Sequence, residues 1–147
     1  MMINLVSPDC LEELAELFDQ YRVFYGQSSD LGSAKHFLRQ RFKHQDSIIF
    51  IAKEHQILTG FTQLYPSFSS VSMKRLWILN DLFVVETHRR KGVAKSLMDA
   101  AEKFAAESGA VRLVLATQMT NIAAQKLYES RNYRKDEMFY HYTLGLV

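Results

Sequence analysis

Apolar positions along this chain change period several times, and each change marks an element. Residues 2–6 read as a short strand, closed by the turn and capping residues Ser7, Pro8 and Asp9. Leu11, Leu14, Ala15, Leu17, Phe18 and Tyr21 then recur at three- and four-residue intervals, the spacing of one helix face. That helix is expected to end near Tyr25 and Gly26. A second helix is expected from about Ser33, with Phe37, Leu38, Arg41 and Phe42 on one face. Residues 47–52 are an apolar, β-branched run and predict a strand. His55 and Gln56 mark a turn, and residues 57–67 predict the next strand. Within it, Gly60 suits a bulge or close packing, and Pro66 suits an end or a bend. A polar turn region at residues 67–72 leads into a strand over residues 73–85. Short turns between these three strands favour an antiparallel meander.

Helical spacing returns at Val93, Leu97, Ala100, Ala101, Phe104 and Ala105, and Gly109 suits the position just past the helix end. Residues 111–117 predict a buried strand, so strand, helix and strand together fit a parallel crossover. A short helix follows over residues 121–129, stopping at Arg131 and Asn132, where Asn tolerates the left-handed conformation. A last strand is expected over residues 139–146. The order is β-α-α-β-β-β-α-β-α-β. This is an α/β arrangement (an α+β mixed sheet) with a central mixed, mostly antiparallel sheet and helices on both faces.

Composition narrows the picture without redirecting it. The 147 residues, 48% hydrophobic and 23% charged, suit one globular domain over residues 1–147. A net charge of +2 gives no reason to expect nucleic-acid or membrane partners. Cys10 is the only cysteine, so no internal disulfide is expected. No apolar run reaches the ~20 residues of a membrane span, and Asn4, Pro8 and Asp9 break any leader pattern early. A cytoplasmic protein is expected. The five histidines show no ligand spacing with Cys or acidic partners, so no metal is expected.

Three places carry candidate chemistry. The first follows the strand ending at Val85. Arg89, Arg90, Lys91, Gly92, Val93, Ala94 and Lys95 form a basic loop that opens a helix. A helix N-terminus offers unpaired N–H groups and the positive end of the macrodipole, which favour an anion such as a phosphate. The spacing is neither the P-loop nor the three-glycine dinucleotide fingerprint. The second place is Asn80-Asp81, two polar residues inside an apolar strand. A buried carboxylate there must be partnered and often marks a site. The third is the aromatic run at Tyr21, Phe24 and Tyr25, which is either core packing or a wall that holds an amine cation.

Arg89, Gly92 and Ala94 resemble the Arg/Gln-x-x-Gly-x-Gly/Ala motif of the GNAT superfamily, the acetyl-CoA-dependent N-acetyltransferases. Asn121, Ala124 and Tyr128 resemble its second motif, Asn-x-x-Ala-x-x-x-Tyr. Element order agrees with that fold. Ala94 stands where Gly is commoner, and Asn132 stands where the family usually has Gly. Asn80-Asp81 is similar to the Glu-Asp pair of diamine and small-amine members, with one carboxylate missing. The resemblance implies acetyl-CoA as co-substrate, its pyrophosphate held by the loop from Arg89 to Lys95. It implies a pantetheine arm paired with Phe83, Val84 and Val85 as if it were another strand, and met by Asn121 and Ala124. It implies Tyr128 as the general acid for the leaving thiolate.

The chemistry sets matching demands. An alkylamine is protonated at neutral pH and attacks a thioester only as the free base, so a group such as Asp81 must receive or orient it. A strand N–H can stabilise the oxyanion. The expected activity is acetyl transfer from acetyl-CoA to a primary amine of a small molecule, by direct attack in a ternary complex. Asp81 and Tyr128 are the catalytic candidates, and Tyr21, Phe24, Tyr25 and Asn80 are substrate contacts. The alternatives are a protein or peptide acceptor, and a CoA-binding module without turnover. The aromatic C-terminal stretch with Phe139, Tyr140 and Tyr142 offers a surface for a homodimer.

Overall fold

The computed structural model describes all 147 residues, in two compact units, Met1–Leu115 and Ala116–Val147. The first unit is built on a five-stranded sheet. Its strands are β1 (Met2–Leu5), β2 (Ile48–Glu54), β3 (Ile57–Ser69), β4 (Lys74–Val84) and β5 (Leu113–Leu115), and they lie side by side in that order. The first four are antiparallel, and β5 runs parallel to β4. Helices α1 (Leu11–Phe24) and α2 (Leu31–His44) stand between β1 and β2 in sequence, and α3 (Val93–Glu107) stands between β4 and β5. The second unit holds α4 (Ile122–Ser130).

Strand alternation explains the two cores. Ile49, Ile51, Phe61 and Phe83 point to one face and pack on Leu14, Ala15, Phe18 and Leu38 of α1 and α2. Ala52 and Val84, their neighbours in sequence, point to the other face and pack on Val93 and Leu97 of α3. Leu14, Leu38, Ile51, Leu64 and Leu97 are fully buried, and each such side chain stabilises the fold by about 1.5–3 kcal/mol.

Local signals agree with the ends of the helices. Gly26 and Gly109 take φ values of 88° and 77°. Gly109 N–H donates to Ala106 O and Ala110 N–H to Ala105 O, a Schellman closure of α3. Helix α2 starts a little earlier than Ser33, because the Asp30 carboxylate caps it by accepting from Ser33 N–H at 3.1 Å. The turn at His55 and Gln56 holds both residues at positive φ, 51° and 65°, the twist a two-residue hairpin needs.

Two strand expectations need correction. The fifth strand was expected over residues 111–117 and buried, yet β5 spans only Leu113–Leu115 and is half exposed. Its partner β4 carries an extra residue at Asn80: Gln63 faces Asp81 while Leu64 faces Leu79. Beyond Leu79 the ladder has no register to continue. No strand forms over residues 139–146, where Phe139, Tyr140, Tyr142, Leu144 and Leu146 are exposed. High β propensity there meets no partner to complete a ladder and no face to bury.

Candidate active site

The loop after β4 is shaped by its backbone. A single 3₁₀ turn at Glu86–His88 leads to Arg89, and then Arg90 and Gly92 adopt φ values of 63° and 82°. Gly92 is the N-cap of α3 and supplies no side-chain cap. The first helical bond runs from Ser96 N–H to Gly92 O at 3.0 Å, so the amides of Val93, Ala94 and Lys95 stand at the open end of the helix. Nothing lies within 4 Å of where a Gly92 side chain would begin. Glycine is therefore demanded by conformation, and the space beside it is free for an anion. Arg90, Lys91 and Lys95 are exposed around this mouth. These features fit a pyrophosphate.

Arg89 also makes contacts within the chain. Its Nε donates to Val84 O at 3.0 Å, and its guanidinium lies over the rings of Phe24 and Phe83 at 5.3 and 5.7 Å. It ties the loop to the end of β4 and to the end of α1. Gly60 sets the depth of this corner. A Cβ there would meet Phe83 O at 2.7 Å and the side chains of Leu97 and Val93 at 3.3 Å, so α3 sits close on the sheet.

On its β5 side, β4 is paired only from Trp77 to Leu79. From Asn80 to Val84 its sole strand neighbour is β3. The bulge at Asn80 thus opens an edge in the middle of the sheet. Along this stretch Val84 O is taken by Arg89, and Val85 N–H donates to Thr59 O at 2.9 Å. Phe83 and Val84 side chains are buried, one on each face of the sheet.

Asp81 lies at the start of that edge and is 5% exposed. Gln63 Nε2 donates to its Oδ2 at 2.8 Å and Asn80 Nδ2 to its Oδ1 at 3.2 Å. The Tyr21 hydroxyl lies beside them and donates to Asn80 O at 3.5 Å. Burial pushes the Asp81 carboxyl above the usual carboxylate range, against the pull of Gln63, Tyr21 and Asn80 around it. Burial and the nearby Asp81 charge raise the Tyr21 hydroxyl, and the same two causes push Tyr65 up to about 12. Tyr21 continues into an aromatic strip, with Tyr25 at 5.1 Å and Phe83 at 5.9 Å between ring centres, and Phe24 at 5.2 Å from Tyr25. Phe24 and Tyr25 are exposed, so the strip runs from the buried carboxylate out to solvent. A separate open cleft of about 400 Å³, lined by Glu13, Glu16 and Glu86 beside Ile57, presents three carboxylates and suits no phosphate.

In the second unit, Asn121 caps α4: its Oδ1 accepts from Ala124 N–H at 3.1 Å. The two conspicuous positions of the second motif are therefore partners in one helix start. Tyr128 is half-buried, with its ring 6.1 Å from that of Tyr133. Asn132 takes φ 70°, Asn132 N–H donates to Glu129 O, and Tyr133 N–H donates to Tyr128 O. This Schellman closure, with its ring contact, fixes the helix end that carries Tyr128.

The sequence matches the acetyltransferase (GNAT) family over residues 11–133. The chain belongs to the GNAT acetyltransferases. The uncharacterized N-acetyltransferase YhfO of Bacillus subtilis (strain 168) is 50% identical to it over 133 residues, 90% of this chain and 89% of that one. The crystal structure of a probable acetyltransferase, 45% identical, superposes with a TM-score of 0.95 over 100% of this chain and 99% of that one. A ribosomal-protein-alanine N-acetyltransferase from Brucella melitensis biovar Abortus 2308, 25% identical, gives a TM-score of 0.81 over 99% of this chain and 100% of that one. The GNAT fold, with its mixed five-stranded sheet and flanking helices, is the fold of this enzyme. The family takes its acetyl group from acetyl-CoA. No helix of this acetyltransferase is long and apolar enough to cross a membrane.

Within the first unit, the GNAT enzyme brings Asp81, Asn80, Tyr21, Tyr25, Phe24, Phe83 and Arg89 into one connected neighbourhood. Reading strand by strand passes over Gln63, since one polar residue in a strand usually faces water. The turn does not reveal it either: the register from Ser69 opposite Lys74 to Leu64 opposite Leu79 would set Gln63 against Asn80, and only the extra residue at Asn80 brings it opposite Asp81.

Proposed function

We propose that this acetyltransferase modifies a primary amine of a small molecule, by direct attack on acetyl-CoA in a ternary complex. The carrying observation is the buried Asp81 carboxylate, set at an open strand edge at the inner end of an aromatic strip. Bound acetyl-CoA supplies the activated acetyl thioester. Its pyrophosphate is held by the amides of Val93, Ala94 and Lys95, with Arg90, Lys91 and Gly92 around them. The N–H and C=O groups of Phe83, Val84 and Val85 that remain available along β4, together with Asn121 and Ala124, meet the pantetheine arm. Tyr21, Phe24, Tyr25 and Asn80 receive the amine, and Asp81 orients it and takes its proton. Tyr128 returns a proton to the departing sulfur, since a hydroxyl with pKa near ~10 suits a thiolate near ~8.5.

A small acceptor is favoured because the strip is aromatic, with one carboxylate at its inner end and one cation, Arg89, over Phe24 and Phe83. The likeness to a ribosomal-protein-alanine acetyltransferase favours a peptide as the second reading. The deciding measurement is thiol release from acetyl-CoA with polyamines, amino acids, aminoglycosides and short peptides. Turnover with a small amine, cut about 10²-fold or more in Tyr128→Phe, is the expected result. Turnover with peptides alone would replace the first reading with the second. CoA binding without turnover on any acceptor would speak against both. The exposed apolar C-terminal residues support a homodimer, which light scattering after gel filtration tests directly.

A further inference from the structure

Gln63 is fully buried, and only half of its carboxamide is used. Nε2 donates to Asp81 Oδ2 at 2.8 Å, while Oε1 is buried with no hydrogen-bond partner. An unpartnered buried acceptor is a standing penalty of about 1–3 kcal/mol, so its persistence calls for an explanation. The other side-chain hydrogen bond to Asp81 also comes from a donor, Asn80 Nδ2. Both suit an ionised carboxylate. A protonated one needs an acceptor for its new O–H in a place closed to water, and the unpartnered Gln63 Oε1 is a buried acceptor beside it.

We propose that Gln63 is a positioning residue for Asp81 whose carboxamide turns over when the carboxylate takes a proton, donating from Nε2 to the ionised form and accepting through Oε1 from the protonated form. Because nothing holds Oε1 in its present place, turning the amide over breaks no hydrogen bond other than the one being exchanged. The step balances simply: an N–H bond of the substrate ammonium breaks, an O–H bond forms on Asp81, and nothing is oxidised. The titratable groups facing Asp81 are Tyr21 from α1 and Tyr65 from β3, and Arg41 and Asp46 act on Tyr65 in turn. Both tyrosines stay neutral across the working range, and the Tyr21 hydroxyl is already turned to Asn80 O, so the half-used Gln63 amide is the group that can follow the proton without giving up another bond. The inference rests on the proposed role of Asp81 as proton acceptor.

The test is an NMR titration of the whole protein with ¹³C-carboxyl aspartate and ¹⁵N side-chain glutamine, which needs no acceptor. In the wild type the Gln63 amide signals are expected to move with the same midpoint as the Asp81 carboxyl, and to stay flat in Asp81→Asn. Gln63→Met, close in volume and without a donor, should raise the Asp81 midpoint by about one pH unit. Gln63→Glu places two carboxyls over one proton and should raise it further, in two resolved steps. A Gln63 amide that stays flat through the Asp81 midpoint, or a Gln63→Met midpoint within about 0.2 unit of wild type, would overturn the proposal. With an accepted amine, the low-pH limb of kcat/KM should shift by the same amount in Gln63→Met while KM for acetyl-CoA holds. A wild type that acetylates no amine sinks the functional reading, and the titration still decides the role of Gln63.

Discussion

Asp81 destabilises the fold it serves. Its carboxyl is raised by burial, so the folded protein holds that proton to higher pH than the unfolded chain does. The resulting loss of stability is absent at acid pH, where both states are protonated, and grows as pH rises from the unfolded value near 3.8 through the folded one. Asp30 has the opposite sign: hydrogen bonds from Ser33 lower its carboxyl, and what it contributes is lost on acidification. Asp81→Asn should therefore raise Tm at pH 7 by a few degrees while removing most acetyl transfer. The two melting curves should converge below about pH 4. An Asn variant that melts lower than wild type at pH 7 would mean that the carboxylate is a net structural asset.

At the scale of elements, the corner where α3 meets β3 and β4 depends on a missing side chain. Gly60→Ala would drive a Cβ to 2.7 Å from Phe83 O, a backbone atom that cannot swing aside. The expected cost is about 1–3 kcal/mol, with a displaced α3 N-terminus and weaker acetyl-CoA binding, measured by chemical denaturation and calorimetric titration. Unchanged stability would show that the sheet opens freely there. This corner also shows what could be read from the chain alone. Gly109 and Asn132 as helix terminators and the basic loop after β4 are local features, set by residues within a turn or two of one another, and Gly60 as a close-packing position is legible because a glycine inside a strand is itself the signal. The short β5 and the open edge were hidden, because the cause is a single extra residue at Asn80 in the neighbouring strand. The cap formed by Asn121 and the tie formed by Arg89 were likewise masked by a functional motif that the same residues also spell. The absent strand at residues 139–146 was misread because propensity says nothing about whether a partner exists.

For the whole molecule, protection from solvent should be strongly graded. Amides of β3 and β4, central in the sheet and flanked by buried residues, should exchange slowest, and those of residues 134–147, without helix or strand, fastest. If the exposed C-terminal residues pair with a second copy, their exchange alone should slow as protein concentration rises. Exchange that does not depend on concentration would count against the dimer. The unpaired run of β4 from Asn80 to Val84 has a consequence of a different kind. An uncovered strand is a template for any other strand, including one from a misfolded neighbour, and proteins ordinarily blunt such edges. Here the blunting is partial, by a bulge at one end and Arg89 at the other. The same gap that we propose for a pantetheine arm is thus a point of entry for aggregation, and bound CoA would act as its gatekeeper. Cells or preparations short of CoA should lose this protein to insoluble material first, visible as light scattering that added CoA suppresses.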